Sequence, residues 1–168
     1  MAGRAVLDSI IEESGYKTGD PVIRGVRLRL HPGDSLLVVG ESGSGKTTLL
    51  LSIIGALKNL LNGYTRGVSR VSGVDVLDPR EFPRVAGKVG IVLQDPEKQI
   101  AMPTPFDEVS FTLENLGFGD EEVRERSMEY LRYFGLEAKA FAPVEELSGG
   151  EKRRVTLAAS LAHSPDLL

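Results

Sequence analysis

The sequence predicts an α/β fold in which a strand-rich first half is followed by a helical subdomain. Three observations predict it. Residues 36–39 form a short apolar, β-prone run that enters a glycine-dense loop and then the apolar helical segment 47–61. The valine-rich run 68–76, interrupted by Gly73, carries the mark of short strands, and the run 89–93, flanked by Gly87, Gly90 and Pro96, that of a buried strand. From Thr104 onward the punctuation changes to helix starts and stops.

At the N-terminal end, Arg4, Asp8, Glu12 and Glu13 interrupt any apolar segment that a signal peptide would need, so a mature start is expected. Residues 22–30 alternate imperfectly, with Val26, Leu28 and Leu30 on one face and Arg27 and Arg29 on the other, which predicts a half-buried strand with a solvated arginine face. The turn His31-Pro32-Gly33-Asp34 separates it from the run 36–39. Thr104-Pro105-Phe106-Asp107 offers an N-cap with proline at the first helical position. Asp120 opens a second helix, whose Val123, Tyr130, Leu131 and Phe134 share a face before Gly135 stops it.

Composition narrows the classes. The 168 residues carry 24 acidic and 20 basic side chains, a net charge of −4, which argues against a protein that coats nucleic acid. There is no cysteine, so a disulfide framework and a thiolate metal site are both excluded. The longest apolar run, 49–57, is broken by Ser52 and Gly55 and falls short of the roughly 18–20 residues that span a bilayer. Glycine is the outlier: its 19 residues exceed the roughly 7% average, and their positions matter.

Gly40-Glu41-Ser42-Gly43-Ser44-Gly45-Lys46-Thr47 fits G-x-x-x-x-G-K-[ST] between a predicted strand and a predicted helix. Glycines let successive N–H groups turn inward toward phosphate oxygens, the following helix adds its positive end, and Lys46 adds a mobile cation. Thr47 is placed to hold magnesium. The loop implies a nucleoside triphosphate without naming a reaction. Further along, Leu147-Ser148-Gly149-Gly150-Glu151 precedes the helical run 155–162. Ser148 and Glu151 make a capping-box pair, yet a cap needs no glycines at the first helical positions, where they weaken the helix. Bare backbone there exposes N–H donors to an external anion.

With the loop and this second motif together, the chain resembles the ATP-binding cassette (ABC) family, whose signature is the LSGG-E/Q sequence. The resemblance covers essentially the whole chain. It implies a fold of the phosphate-loop NTPase type with a helical subdomain, divided here as 1–94, 95–147 and 148–168. It also implies ATP and Mg2+ as ligands. ATP binding is carried over to Tyr16, Gly40, Glu41, Ser42, Gly43, Ser44, Gly45, Lys46, Thr47 and Thr48, with Tyr16 stacking on adenine. Gln94, at the end of the run 89–93, matches the glutamine that contacts magnesium and positions the attacking water, so Thr47 and Gln94 are the expected metal ligands, and Gln94 and Lys46 the expected catalytic residues. Leu147, Ser148, Gly149, Gly150 and Glu151 are expected to close over the γ-phosphate of ATP held by a second subunit.

The segments Gln94-Asp95-Pro96-Glu97-Lys98-Gln99, Asp107-Glu108-Val109-Ser110-Phe111 and Leu113-Glu114-Asn115 are similar to the ATPases of energy-coupling factor importers, which carry vitamins and cobalt or nickel ions. The loop spelling Gly40 to Gly45 also resembles that of peptide-importer ATPases. The implied partners are a second ABC ATPase subunit, identical or not, and transmembrane transporter subunits, with no nucleic acid. The implied location is the cytoplasmic face of the membrane. A chromosome-maintenance ATPase shares the motifs but separates them by a long coiled coil, and the interval from Lys46 to Ser148 has no sustained heptads. In the family, an Asp-Glu pair that supplies the general base and a switch histidine follow the Pro-Asp pair, matched here by Pro165-Asp166. The sequence runs to Leu168, and His31 and His163 read as turn and helix-end residues. The expectation is therefore a chain truncated before those elements, with edges of the core sheet left unpaired, or else a nucleotide-binding partner that does not hydrolyse.

Overall fold

The computed structural model describes residues 4–17 and 19–168. The chain divides into two compact units, residues 1–89 with Leu167 and residues 90–166 with Leu168. The first break falls at Val89, five residues before the Gln94 boundary read from the sequence. Residues 149–161 pack with the helical unit because Val155, Ala158, Ala159 and Ala162 share its core.

The first unit is built on a four-stranded antiparallel sheet: β1 (Leu7–Tyr16), β2 (Ile23–Leu30), β3 (Gly63–Val71) and β4 (Val74–Asp75), in the order β2-β1-β3-β4. Two local devices fix its register. Ser72 and Gly73, at φ 49° and 84°, close the β3–β4 hairpin directly after the Val71–Val74 pair, as a two-residue turn with both central residues left-handed requires. A bulge in β1 between Ile11 and Glu13 faces Gly67 at φ 122°, where a Cβ would collide with the Ile10 carbonyl. Leu7, Ile11 and Val71 are fully buried, each worth about 1.5–3 kcal/mol relative to exposure.

Two short helices, α1 (Lys46–Ile53) and α2 (Ala56–Asn59), are tied to this sheet. The Ser14 and Ser52 hydroxyls are hydrogen-bonded to each other (2.8 Å), and the Ser69 hydroxyl donates to the Ile53 carbonyl (2.6 Å). The sequence predicts one helix over 47–61, whereas the structure breaks it at Gly55, in the left-handed region at φ 78° and pressed against the Val76 carbonyl. No side chain fits that approach. Asn59 then caps the break by donating to the carbonyls of Gly55 (2.9 Å) and Val76 (3.0 Å).

Two predicted strands do not form. Residues 36–39 form no ladder, with Leu37 83% and Val39 77% exposed. An apolar run becomes a strand only when a neighbour accepts its backbone bonds, and no described segment does so. In the run 89–93, Val89 makes one parallel bridge to Leu167, while Ile91 and Leu93 are exposed. The Gln99 side chain takes the place of a neighbouring strand there: its Nε2 donates to the Ile91 carbonyl (2.8 Å) and its Oε1 accepts from the Leu93 N–H (2.9 Å).

The second unit packs α3 (Pro105–Asn115), α4 (Asp120–Tyr133) and α5 (Gly149–Leu161) around Val109, Leu113, Leu131 and Val155. Thr104 caps α3 by accepting from the Asp107 N–H (3.2 Å), with Pro105 at the first helical position as predicted. Helices α3 and α4 end alike. Gly117 (φ 84°) and Gly135 (φ 68°) turn left-handed, and the N–H groups of Phe118 and Leu136 reach back to the carbonyls of Leu113 and Leu131. Among the described residues no helix is long and apolar enough to cross a membrane.

Candidate nucleotide site and signature turn

In the first unit the loop 40–45 delivers its chain into α1 through Gly45, which sits at the N-cap with φ 92° and offers no side-chain cap. The first intrahelical bond runs from the Leu49 N–H to the Gly45 carbonyl (2.8 Å), so the N–H groups of Lys46, Thr47 and Thr48 have no helical acceptor. No acidic side chain lies in that first turn to neutralise the positive end of the helix. A Cβ on Gly45 would meet Val22 Cγ1 at 2.9 Å and Ile23 Cδ1 at 3.0 Å, so the turn is pressed against the start of β2 and only glycine fits. Gly43 is also left-handed, at φ 82°, and a Cβ on Gly40 would lie 2.8 Å from Ser44 Oγ.

Lys46 folds back across the loop, its ammonium donating to the carbonyls of Gly40 (2.8 Å) and Glu41 (2.7 Å). An ammonium has three donors, so one remains for an incoming oxygen. Ser44 N–H closes the turn onto the Glu41 carbonyl (3.2 Å), while Ser42 and Thr47 are exposed. Thr48 is buried, and its carbonyl accepts from the Ser52 hydroxyl (2.6 Å). Tyr16 ends β1, 42% exposed, two residues beyond Ser14, whose carbonyl accepts from the Val22 N–H (2.8 Å). Tyr16 and the loop therefore belong to the same end of the β1–β2 pair.

The second unit holds Gln94 and the signature turn. Gln94 is exposed, in the bend before the 3-10 turn Pro96–Lys98. The Thr156 hydroxyl of α5 donates to the Pro96 carbonyl (3.2 Å), and Glu97 Oε1 lies 2.9 Å from where a Cβ on Gly149 would be. Leu147 is buried in the helical core. Ser148 is the N-cap of α5 and the capping box is complete: its hydroxyl accepts from the Glu151 N–H (3.3 Å), while Glu151 Oε2 accepts from the Ser148 N–H and hydroxyl (both 2.8 Å). Gly149 and Gly150 are exposed, and a Cβ on Gly150 would meet open space.

Sequence reasoning did not find Lys139, whose ammonium lies 2.7 Å from Glu151 Oε1. Both oxygens of Glu151 are thereby engaged. This bond, with the two donors of Ser148, holds the Glu151 carboxyl down at about 2. Nothing in the spacing of the two residues marks them as a pair, because they meet through the packing of the helical unit and not along one helix. The bridging role of Gln99 depends on the unladdered run beside it, which its own position in the sequence does not mark.

A glycine loop with bare helical N–H groups and a lysine folded over its mouth, on an α/β unit, places the molecule among the phosphate-loop nucleotide-binding proteins. The comparisons narrow that class: the family described as ABC transporter matches residues 23–168, and the chain belongs to it. It is 43% identical over 156 residues to a putative ABC transporter ATP-binding protein of Geobacter sulfurreducens, covering 91% of this chain and 59% of that protein. It is 35% identical over 153 residues to the energy-coupling factor transporter ATP-binding protein EcfA of Methanothermobacter thermautotrophicus, covering 91% of this chain and 48% of the relative. The solved structure of CbiO1 from Clostridium perfringens, described as part of the ABC transporter complex CbiONQ, superposes with a TM-score of 0.80 at 27% identity over 97% of this chain and 64% of that one. The chain thus spans about half to three-fifths of the length of the curated relatives it matches.

The donor set also fits magnesium in a particular way. Thr47 and Gln94 offer neutral oxygens, and among the described residues no group of three or more His, Asp or Glu side chains could cage a metal. Mg2+ commonly takes one or two protein oxygens and fills its octahedron with phosphate oxygens and water, so a neutral oxygen such as that of Thr47 beside the loop suits an ion that arrives with the nucleotide.

Proposed function

We propose that the chain is the nucleotide-binding part of an ABC transporter ATP-binding subunit of the energy-coupling factor type, working in import. The observation that carries the reading is the loop geometry at Lys46: two loop carbonyls hold the ammonium at the start of a helix whose first three N–H groups have no helical acceptor. In this reading the N–H groups of Lys46, Thr47 and Thr48 and the Lys46 ammonium hold the β- and γ-phosphates, where charge-assisted bonds are strongest. Gly40, Glu41, Ser42, Gly43 and Ser44 shape the loop that wraps them. Tyr16 stacks on the adenine.

The Thr47 hydroxyl and the Gln94 amide oxygen hold Mg2+, which offsets phosphate charge during hydrolysis, and Gln94 orients the attacking water. Ser148, Gly149 and Gly150 present donors to the ATP of a second ATPase subunit, with Leu147 anchoring the turn and Glu151 fixing Ser148. Membrane subunits are the further partners, which places the protein peripherally on the cytoplasmic face. The energy-coupling factor assignment is supported by the EcfA and CbiO1 relatives together with the segment from Gln94 to Gln99.

Titration of the chain with a fluorescent ATP analogue tests the reading. Binding should require magnesium, and Lys46→Ala should weaken it by about tenfold or more, a loss of roughly 1.4 kcal/mol at least. Unchanged affinity in Lys46→Ala would overturn the assignment.

A further inference from the structure

At the opposite end of the antiparallel sheet from the phosphate loop, a cavity of about 560 Å3 is lined by Arg4, Ala5, Asp8, Arg29, His31, Arg70 and Gly73. Strand register creates it. Asp8 of β1 pairs with Arg29 of β2 on one side and Arg70 of β3 on the other, so all three side chains project from the same face. Asp8 is committed to Arg29 at 2.5 Å, whereas Arg70 and Arg4 make no ion pair among the described residues. Three guanidinium groups thus share the cavity with a single carboxylate, in a chain whose net charge is −4. The surroundings of the half-exposed Asp8 are electrostatically one-sided: its hydrogen bond to Arg29, with the nearby Arg70 and Arg27, favours its ionised form.

A second observation fixes the wall. Gly73, at φ 84°, has its Cβ position taken by the Arg4 guanidinium, so the turn between β3 and β4 accommodates that arginine and admits no side chain of its own. His31 lines the rim, its backbone N–H held by Asp34 Oδ2 (2.8 Å), which also lies 3.6 Å from the ring Nδ1. Guanidinium forks match phosphate oxygens bidentately, and the volume is that of a small-molecule pocket rather than of a single ion.

We propose that this cavity is a second anion site, independent of the phosphate loop, that takes the diphosphate group of a small phosphorylated molecule. Arg70 and Arg4 supply the forks, and Arg29, held by Asp8, supplies a fixed third donor. The site owes nothing to the nucleotide reading of the loop, and the two can fail separately.

The test uses the full chain carrying Lys46→Ala, so that the loop does not compete, titrated with inorganic pyrophosphate and, separately, with ADP while backbone amides are followed by NMR. The expected result is saturable shifts at residues 5–8, 29–31 and 70–73, weakened at least tenfold by Arg4→Gln with Arg70→Gln and left within twofold by Arg24→Gln, an exposed arginine of β2 outside the cavity. Equal response to both ligands supports a site for the diphosphate group itself, and tighter ADP binding supports a nucleotide as its source. Shifts confined to residues 40–48, no shifts at all, or equal weakening by Arg24→Gln would overturn the proposal.

Discussion

The two glycine turns that precede α1 and α5 are built in opposite ways. At α1 the N-cap is a left-handed glycine with no side-chain cap, no acidic residue follows in the first turn, and the lysine that crosses the loop is itself a cation. At α5 the cap comes from within the chain: Ser148 and Glu151 cap each other, and Lys139 neutralises the carboxylate that completes the box. A helix end with unsatisfied donors gains most from an anion, whereas a self-capped end is ordered before any ligand arrives. The first turn is thus a receptor whose stability depends on its ligand. The second is a rigid edge that presents the N–H groups around Gly149 and Gly150.

The largest effect that would separate the two turns comes from adding one methyl group to each. Gly45→Ala puts a Cβ against Val22 and Ile23 at positive φ and should cost on the order of 1–3 kcal/mol, with loss of nucleotide binding. Gly150→Ala enters open space in a helical first turn and should leave the melting temperature unchanged or raise it slightly, because alanine is the better helix former. Thermal denaturation of the pair measures the contrast. Equal destabilisation by both would remove it.

Next in size, Ser148→Ala deletes the cap of α5 and should cost about 1 kcal/mol in denaturant unfolding, while nucleotide binding to the loop stays as it was. A concurrent loss of loop affinity would show that the turns are not independent.

The smallest effect is a pH dependence. Glu151 titrates at about 2 in the folded chain against an ordinary value of 4.5. A depressed carboxyl contributes stability that is fully present above pH 4.5 and is lost as pH falls from there through about 2. Lys139→Met removes the largest cause, so the Glu151 carboxyl, followed by NMR, should titrate closer to 4.5. A midpoint unmoved by that change would place the cause with Ser148 alone.

Much of both turns was legible in the sequence because their signals are local. Gly40 to Thr47, the Ser148–Glu151 box, and Thr104 ahead of Pro105 each act within a few residues; the two caps form as the spacing implies, and the loop enters its helix at Lys46 without the strand expected before it. The strand Leu7–Tyr16 was not legible. Its alternation is broken by the bulge at Glu12, and its inner face carries the buried hydroxyls of Ser9 and Ser14 in place of apolar side chains. The runs 36–39 and 89–93 failed in the other direction: their apolar composition suits a central strand, but a ladder is a property of two segments. Lys139 on Glu151, Gln99 on the run 91–93, and Arg4 against Gly73 are likewise nonlocal meetings that no spacing rule announces.

The central claim is that the loop at α1 depends on a ligand for its order while the turn at α5 is ordered by its own cap. Hydrogen exchange of the chain with and without Mg·ATP, at a concentration where it stays monomeric and no second subunit's ATP reaches α5, tests it most directly. The prediction is that amides of residues 43–50 become protected by tenfold or more on saturation, while those of residues 149–155 change by less than twofold. Protection of the α5 turn to the same degree, or none in the loop, would contradict it.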